Sequence, residues 1–371
     1  MTADYSIGIW LTLHPEPIET SRFRRQASVI YWGLPAVSSR APQPGILADS
    51  MSNSSPKVSV VIPCYNVTRY IGETLDSLRA QTFRDFETIL VNDGCPDTEN
   101  LERVLEGYRD EIVYLKSGKW ASISGSRNAG INKSSATYIA LLDGDDAWEP
   151  DYLKIQVDIL DADPDISLVY PNARYFGGGA WDGRLFMDMI PSTGEVTMER
   201  LITRECAVFI GVTARREALV RAGLFDPLVP GGEDLDLWMR VVRSGGKITY
   251  HRQPLVKYRL RPNSMSDDKF DLLKNGLTVY QKHLNTPGIT DQERQYLERA
   301  IQKQHATINV LLGKKALYAG NYSEALDRLD QANKQFRSRN LRLLVLGLRM
   351  MPQLVHRWVH LRYPTEYAFL H

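Results

Sequence analysis

The sequence predicts an α/β protein, a mostly parallel sheet with helices on both faces, followed by an all-α C-terminal region. Three observations predict it. Short β-branched apolar runs alternate with segments of helical spacing from residue 57 to residue 162, the pattern of successive βαβ units. Three of the predicted strands end in polar signatures, PCYN, NDG and DGDD, at the carboxyl ends beyond which such sheets bind ligands. From residue 267 to residue 336 the spacing is helical throughout.

Residues 1–56 hold no sustained period. Pro, Ser and Arg interrupt them, and SSRAPQPG (38–45) reads as a linker. They are an N-terminal extension, disordered or a mis-called start, with Met51 as the alternative first residue. VSVVIP (58–63) is a short apolar run and predicts a buried strand; Ile71, Leu75 and Leu78 follow at helical spacing. FETILVND (86–93) is the next strand, LERVLEGY (101–108) a helix, IVYL (112–115) a strand and SRNAGINKS (126–134) a helix. TYIALLD (137–143) returns to strand and YLKIQVDILDA (152–162) to helix. Residues 165–265 mix short strands and helices. Within them, LFDPLVPGGEDLDLWMRVVRSGG (224–246) is a Gly-rich loop entering an amphipathic helix with Leu235, Trp238, Met239 and Val242 on one face. KITYHRQPLVKYRLRP (247–262) predicts two short strands.

A helical appendage spans 266–336. Its segment YAGNYSEALDRLDQA (318–332) resembles the turn and second helix of a tetratricopeptide-type repeat, in a single copy, so a short appendage is expected rather than a solenoid. Residues 337–371 form a basic amphipathic tail. Between residues 331 and 365 there is no acid, while Lys334, Arg337, Arg339, Arg342, Arg349, Arg357 and Arg362 alternate with leucines and Trp358. Such a tail either contacts an anionic membrane face peripherally or packs its apolar side on the helices before it.

Composition narrows the function classes. Of 371 residues 43% are apolar, enough for a sizeable core, and Lys+Arg (45) balances Asp+Glu (44). A chain so balanced is no general nucleic-acid binder. Three cysteines, Cys64, Cys95 and Cys206, show no metal-ligand spacing and are read as reduced thiols. No run reaches the length of a membrane span. The N-terminus lacks the order of a secretory signal, which makes the cytoplasm the expected compartment.

The chemistry concentrates in IALLDGDDAWEP (139–150). Asp143, Asp145 and Asp146 emerge where a buried strand surfaces, and three carboxylates so close repel one another unless a positive charge sits among them. A divalent cation, Mg²⁺ or Mn²⁺, bridging a polyphosphate is the simplest such charge, since hard cations take one or two carboxylates plus phosphate oxygens. Gly144 would let the backbone turn tightly. Alone, DGDD reads rather as a solvated acidic turn capping the helix that starts near Pro150, since D-x-D is a weak signal.

The ordered set VSVVIPCYN, ETILVNDGCPDT, SGSRNAGINKS, YIALLDGDDAWEPDYL and GGEDLDLWMR resembles family 2 glycosyltransferases of the GT-A fold, over roughly residues 57–265. The resemblance implies that Pro63, Tyr65 and Asn66 face the base of a nucleotide and that Asp93 contacts base or ribose. It implies that Arg127 reaches base or diphosphate, with Asn128 capping the helix or holding the donor. Asp143 falls at the ribose and metal position, and Asp145 and Asp146 are the expected pair around the cation. Asp234, the second acid of the Glu233–Asp234 pair, falls at the general base, and Arg259 and Arg261 at the diphosphate. Many relatives carry a His where Arg261 stands, and Cys95 has no counterpart role. The implied reaction is a metal-dependent, inverting, single transfer from a nucleotide-diphospho-sugar, UDP favoured, to a glycan or lipid-linked glycan; the Q-x-x-R-W motif of processive synthases is missing. Two other readings compete. A sugar-nucleotide nucleotidyltransferase would carry a Gly-rich basic loop after the first strand, where PCYNVTRY stands. A non-catalytic interaction protein would keep the site only as a vestige.

Overall fold

The structure, a computed structural model, describes residues 55–117, 122–178, 181–261 and 269–362. The expectations for residues 1–54, including the start at Met51, lie outside the described residues.

The first strand, β1 (Val58–Cys64), is buried along its whole length. That is what a continuous apolar run becomes when helices cover both faces of a parallel sheet. The chain continues through α1 (Ile71–Arg79), β2 (Phe86–Asp93), α2 (Thr98–Leu105), a 3₁₀ turn (Glu106–Glu111) and β3 (Ile112–Ser117). Then come α3 (Ile123–Lys133), β4 (Tyr138–Leu141), β5 (Ala147–Trp148), α4 (Tyr152–Ala162) and β6 (Ile166–Phe176). Short helices α5 (Phe186–Met189), α6 (Met198–Thr203) and α7 (Arg216–Arg221) surround β7 (Thr213–Arg215), before α8 (Glu233–Arg243) and β8 (Lys247–Arg259).

These strands form one sheet in the order β3-β2-β1-β4-β7-β6-β8-β5. β3, β2, β1 and β4 are mutually parallel, and β7 enters antiparallel to β4. β6 and β8 are parallel, whereas β6–β7 and β5–β8 are antiparallel, so the expected α/β class is present with a mixed sheet whose first four strands alone are wholly parallel. Register aligns the site: Cys64 faces Asn92 and Val61 faces Leu141, so Asp93 and Asp143 surface at the same edge as the end of β1.

Two local expectations differ from the structure. The segment 247–262 forms one thirteen-residue strand, β8, rather than two. Its pairing with β6 shifts register between Tyr250 and Pro254, and a bulge around a proline, which cannot donate to the ladder, reads in sequence as a break. Helix α3 begins at Ile123 rather than Ser126, because Ser122 caps it by accepting the Gly125 N–H at 3.0 Å.

The C-terminal region is all helix: α9 (Lys269–Leu284), α10 (Asp291–Tyr318), α11 (Tyr322–Phe336), α12 (Arg339–Met350) and α13 (Pro352–Arg362). A capping box of Thr290 and Glu293 starts α10. The turn and helix foreseen at 318–332 are the α10–α11 hairpin, although α10, at 28 residues, is long for a tetratricopeptide helix. Val279, Tyr280 and Leu297 belong to the same hydrophobic cluster as the sheet. Helices α9 and α10 therefore share the core of the α/β layer.

Candidate active site

The site is built at the carboxyl edge of β1, β2 and β4. After β4 the chain turns through Asp143, Gly144, Asp145 and Asp146. Gly144 is needed for space rather than for an unusual φ: a Cβ there would lie 3.0 Å from a Val67 methyl and 3.2 Å from the Pro63 carbonyl oxygen. The expected tight turn is thus a close approach between the acidic loop and the end of β1. Thr74, buried in α1, holds the loop from below, its hydroxyl donating to the Asp146 carbonyl at 2.7 Å.

The positive charge among the acids is supplied in this structure by arginines. Arg127, 2% exposed, donates to Asp143 Oδ1 at 2.8 Å and to Glu233 Oε1 at 2.6 Å. Burial alone would lower its pKa, but the charges of Asp143 and Glu233 more than reverse this and raise it. Arg261 donates from Nε to Asp145 Oδ2 at 2.5 Å and from a terminal nitrogen to the Asn66 carbonyl at 3.2 Å. Arg259 donates its backbone N–H to Asp146 Oδ1 at 2.8 Å and its Nε to the Asp145 carbonyl at 2.6 Å. Its guanidinium also pairs with Glu73 and lies over Phe176 and Tyr70.

The three acids are not equivalent. Asp143 and Asp145 keep 26% and 16% of their side chains exposed, while Asp146 is buried against β8. Burial, then the charges of Asp145 and Asp143, push Asp146 well above the usual carboxylate range. Burial, then Asp143, raise Asp145 despite Arg261. The outward pair is therefore Asp143 and Asp145, whereas one oxygen of Asp146 is spent on the backbone of Arg259.

Helix α8 carries the second acidic pair. Gly232 precedes it at φ 73°, a left-handed conformation that suits glycine. Glu233 turns inward to Arg127, and Asp234 stays half-buried beside it. Burial, then the Glu233 charge, push Asp234 up to about 6. Glu233 and Thr74 are the site residues that sequence reasoning missed. Glu233 was visible as half of the acidic pair, but its direction was not, and a threonine within a helix sends no signal.

Other expected residues are placed as follows. Pro63 is buried at the end of β1, and Tyr65 is 43% exposed on the loop after it. Asn66 adopts φ 55° and donates its N–H to Cys95 Sγ at 3.3 Å. The Cys95 thiol in turn donates to Asp97 at 2.9 Å, so this cysteine joins the loops after β1 and β2. All three cysteines are free and buried. Asp93, buried, accepts from the Ser126 hydroxyl at 2.8 Å and the Ser122 N–H at 3.1 Å; it anchors the start of α3. Asn128 spends both ends of its amide on the backbone of Phe225, at 2.7 and 3.0 Å. Trp238, on the apolar face expected of this helix, is fully buried core.

Residues 59–221 match the family model "Glycosyl transferase family 2". The chain is similar to a putative teichuronic acid biosynthesis glycosyltransferase, TuaG, of Bacillus subtilis, at 27% identity over 68% of the chain and 100% of the relative. An uncharacterized glycosyltransferase of Rickettsia bellii is 28% identical over 58% of the chain, which spans only 31% of that relative. Among solved structures, S. aureus TarS 1–349 in complex with UDP-GlcNAc superposes with TM-score 0.56 at 18% identity, over 84% of this chain and 92% of that one. Mannosyltransferase PcManGT from Pyrobaculum calidifontis, in complex with GDP-Man and Mn²⁺, does so with TM-score 0.56 at 18% identity, over 86% of each chain. The glycosyltransferase fold expected from the motifs, with helices following it, is thus present.

Proposed function

We propose that the protein is a metal-dependent inverting glycosyltransferase. It would move one sugar per encounter from a nucleotide-diphospho-sugar, UDP favoured, to a glycan or lipid-linked glycan acceptor. Residues 57–265 would hold the donor site and 266–336 a helical appendage. The observation that carries the reading is the double bridge of Arg127, which ties Asp143 at 2.8 Å to Glu233 at 2.6 Å. It sets Asp234 beside the acidic loop, as a single displacement requires of its base and its leaving group.

Charge supports the metal. Around the site Asp143, Asp145, Asp146, Glu233, Asp234 and Glu73 outnumber Arg127, Arg204, Arg259 and Arg261. A dianionic diphosphate entering such a site needs further positive charge. Asp143 and Asp145 fit a hard cation, being adjacent, partly exposed oxygen donors. Among the described residues no group of three His, Cys, Asp or Glu side chains forms a metal cage. Mg²⁺ or Mn²⁺ would therefore share Asp145 and Asp143 with donor oxygens. When bound, the cation supplies charge neutralisation at the departing diphosphate.

The chain's own residues do the rest. The exposed Tyr65 ring packs on the base, and Arg261 swings from Asp145 to a phosphate oxygen. Asp234 takes the proton from the acceptor hydroxyl as it attacks, with Glu233 held away from that task by Arg127. The ligands bound in the two similar structures, UDP-GlcNAc in one and GDP-Man with Mn²⁺ in the other, support a nucleotide-sugar donor without choosing the sugar.

The test is release of nucleoside diphosphate from a panel of UDP-, GDP- and dTDP-sugars with Mn²⁺ and glycan acceptors. Asp234→Asn should lower kcat about 10²–10⁴-fold while nucleotide binding persists. Unchanged turnover in this variant would refute the assignment of the base.

A further inference from the structure

We infer that helices α12 and α13 form a docking surface for an anionic membrane. The sequence offered two fates for this basic, apolar segment, and the structure assigns one to each face. On α12, Leu341, Val345 and Leu348 are buried. The opposite side carries Leu343, Leu346 and Met350, exposed by 67%, 50% and 68%. Their i, i+3, i+7 spacing is a second apolar stripe. Helix α13 repeats the plan: Val359 is buried, while Leu354, Trp358 and Leu361, at i, i+4, i+7, stand exposed. Met350 and Met351, both exposed, join the two stripes at the helix junction. A helix that already has a packed face gains nothing for folding from an apolar stripe on its other side.

Charge selects the occupant. Arg342 and Arg349 flank the α12 stripe, Arg339 stands one turn before it, and Arg357 flanks the α13 stripe; all are exposed. Arg349 pairs with Asp330 at 3.1 Å. Among the described residues Arg339, Arg342 and Arg357 have no carboxylate within ion-pair distance. From residue 331 to residue 365 there is no acid at all. Apolar residues rimmed by unneutralised arginines, with an indole among them, suit an interface of anionic headgroups over acyl chains. An interface between two copies would set these arginines against each other. No described helix is long and apolar enough to cross a membrane, so the helices would lie on the surface.

The inference stands apart from the catalytic reading, because none of these residues touches the acidic loops. It is tested on the full chain by flotation with phosphatidylcholine vesicles, with and without phosphatidylglycerol, alongside light scattering. Preferential partition onto the anionic vesicles is expected. Neutralising two rim cations, Arg342→Gln with Arg357→Gln, should weaken it about 30-fold, at ~1 kcal/mol per cation. Leu346→Ser with Leu354→Ser should weaken it about a hundredfold, with turnover of a soluble acceptor unchanged. Should the serine variant melt early, the arginine variant decides alone. No partition onto anionic vesicles would overturn the inference. So would a self-associated chain that the serine variant dissolves, since that would make the stripes a contact between copies.

Discussion

Arg127 is the residue on which the site turns. It is buried with two carboxylates and over the Phe225 ring, and removing it strands Glu233 as an unpaired buried charge. Arg127→Met should therefore cost about 3–5 kcal/mol of stability, read as a lowered denaturant midpoint. It should also abolish turnover, because the acidic loop and α8 lose their tie. Asp234 carries a second expectation. With its carboxyl pushed up to about 6, and with the carboxylate as the active form, kcat/KM should fall tenfold per pH unit below about 6 and level off above it. A flat profile down to pH 5 would contradict a base at this position. At this scale the sequence was half legible. The acids and arginines were visible as types at motif spacing. Which carboxylate each arginine takes was not, because a guanidinium can reach several partners and only the fold decides between Asp143, Asp145 and Glu233. The same ambiguity hid Asn128, whose amide is spent on Phe225.

At the scale of elements, α8 links the site to the helical region. Its first turn carries Glu233 and Asp234; two residues further, Asp236 is fully buried and faces the other way. Asp236 accepts from Arg240 at 2.7 Å, Lys282 at 2.7 Å and His283 Nε2 at 3.0 Å, the last two on α9. Burial opposes its ionisation, yet the bonds from His283, Lys282 and Arg240 prevail and hold its pKa below the usual range. Asp236→Ala should leave Lys282 and Arg240 without their shared partner and loosen α9 from α8. Faster hydrogen exchange across both helices is the expected readout, and exchange unchanged from the parent would refute the tie. The sign with pH follows. A depressed carboxylate contributes stability that is present above its ordinary range and is lost only as pH falls through its lowered folded value, so this contact should survive mild acid. The strands and long helices were legible because their periods are strong. The α8–α9 knot was not, since its partners are 47 residues apart in sequence. The bulge in β8 was misread for a local reason, a proline inside a run that the fold continues.

Across the whole molecule, the α/β layer and α9–α10 share one core, with the acidic site at the sheet edge and the arginine-rimmed stripes on the last two helices. In the absence of donor the site carries more carboxylate than guanidinium, which costs stability that a bound cation would return. Asp145, Asp146 and Asp234 all have raised folded values. Their contribution is therefore greatest below the ordinary carboxylate range and declines as pH rises through the folded values. The measurement to make first is calorimetry of UDP, GDP and dTDP binding to the full chain, with and without Mn²⁺, repeated on Asp145→Ala. Binding of one nucleotide that requires Mn²⁺ and is lost in the variant is the predicted result. Nucleotide binding indifferent to both metal and Asp145, or no binding to a folded chain, would contradict a cation-bridged diphosphate at these acids.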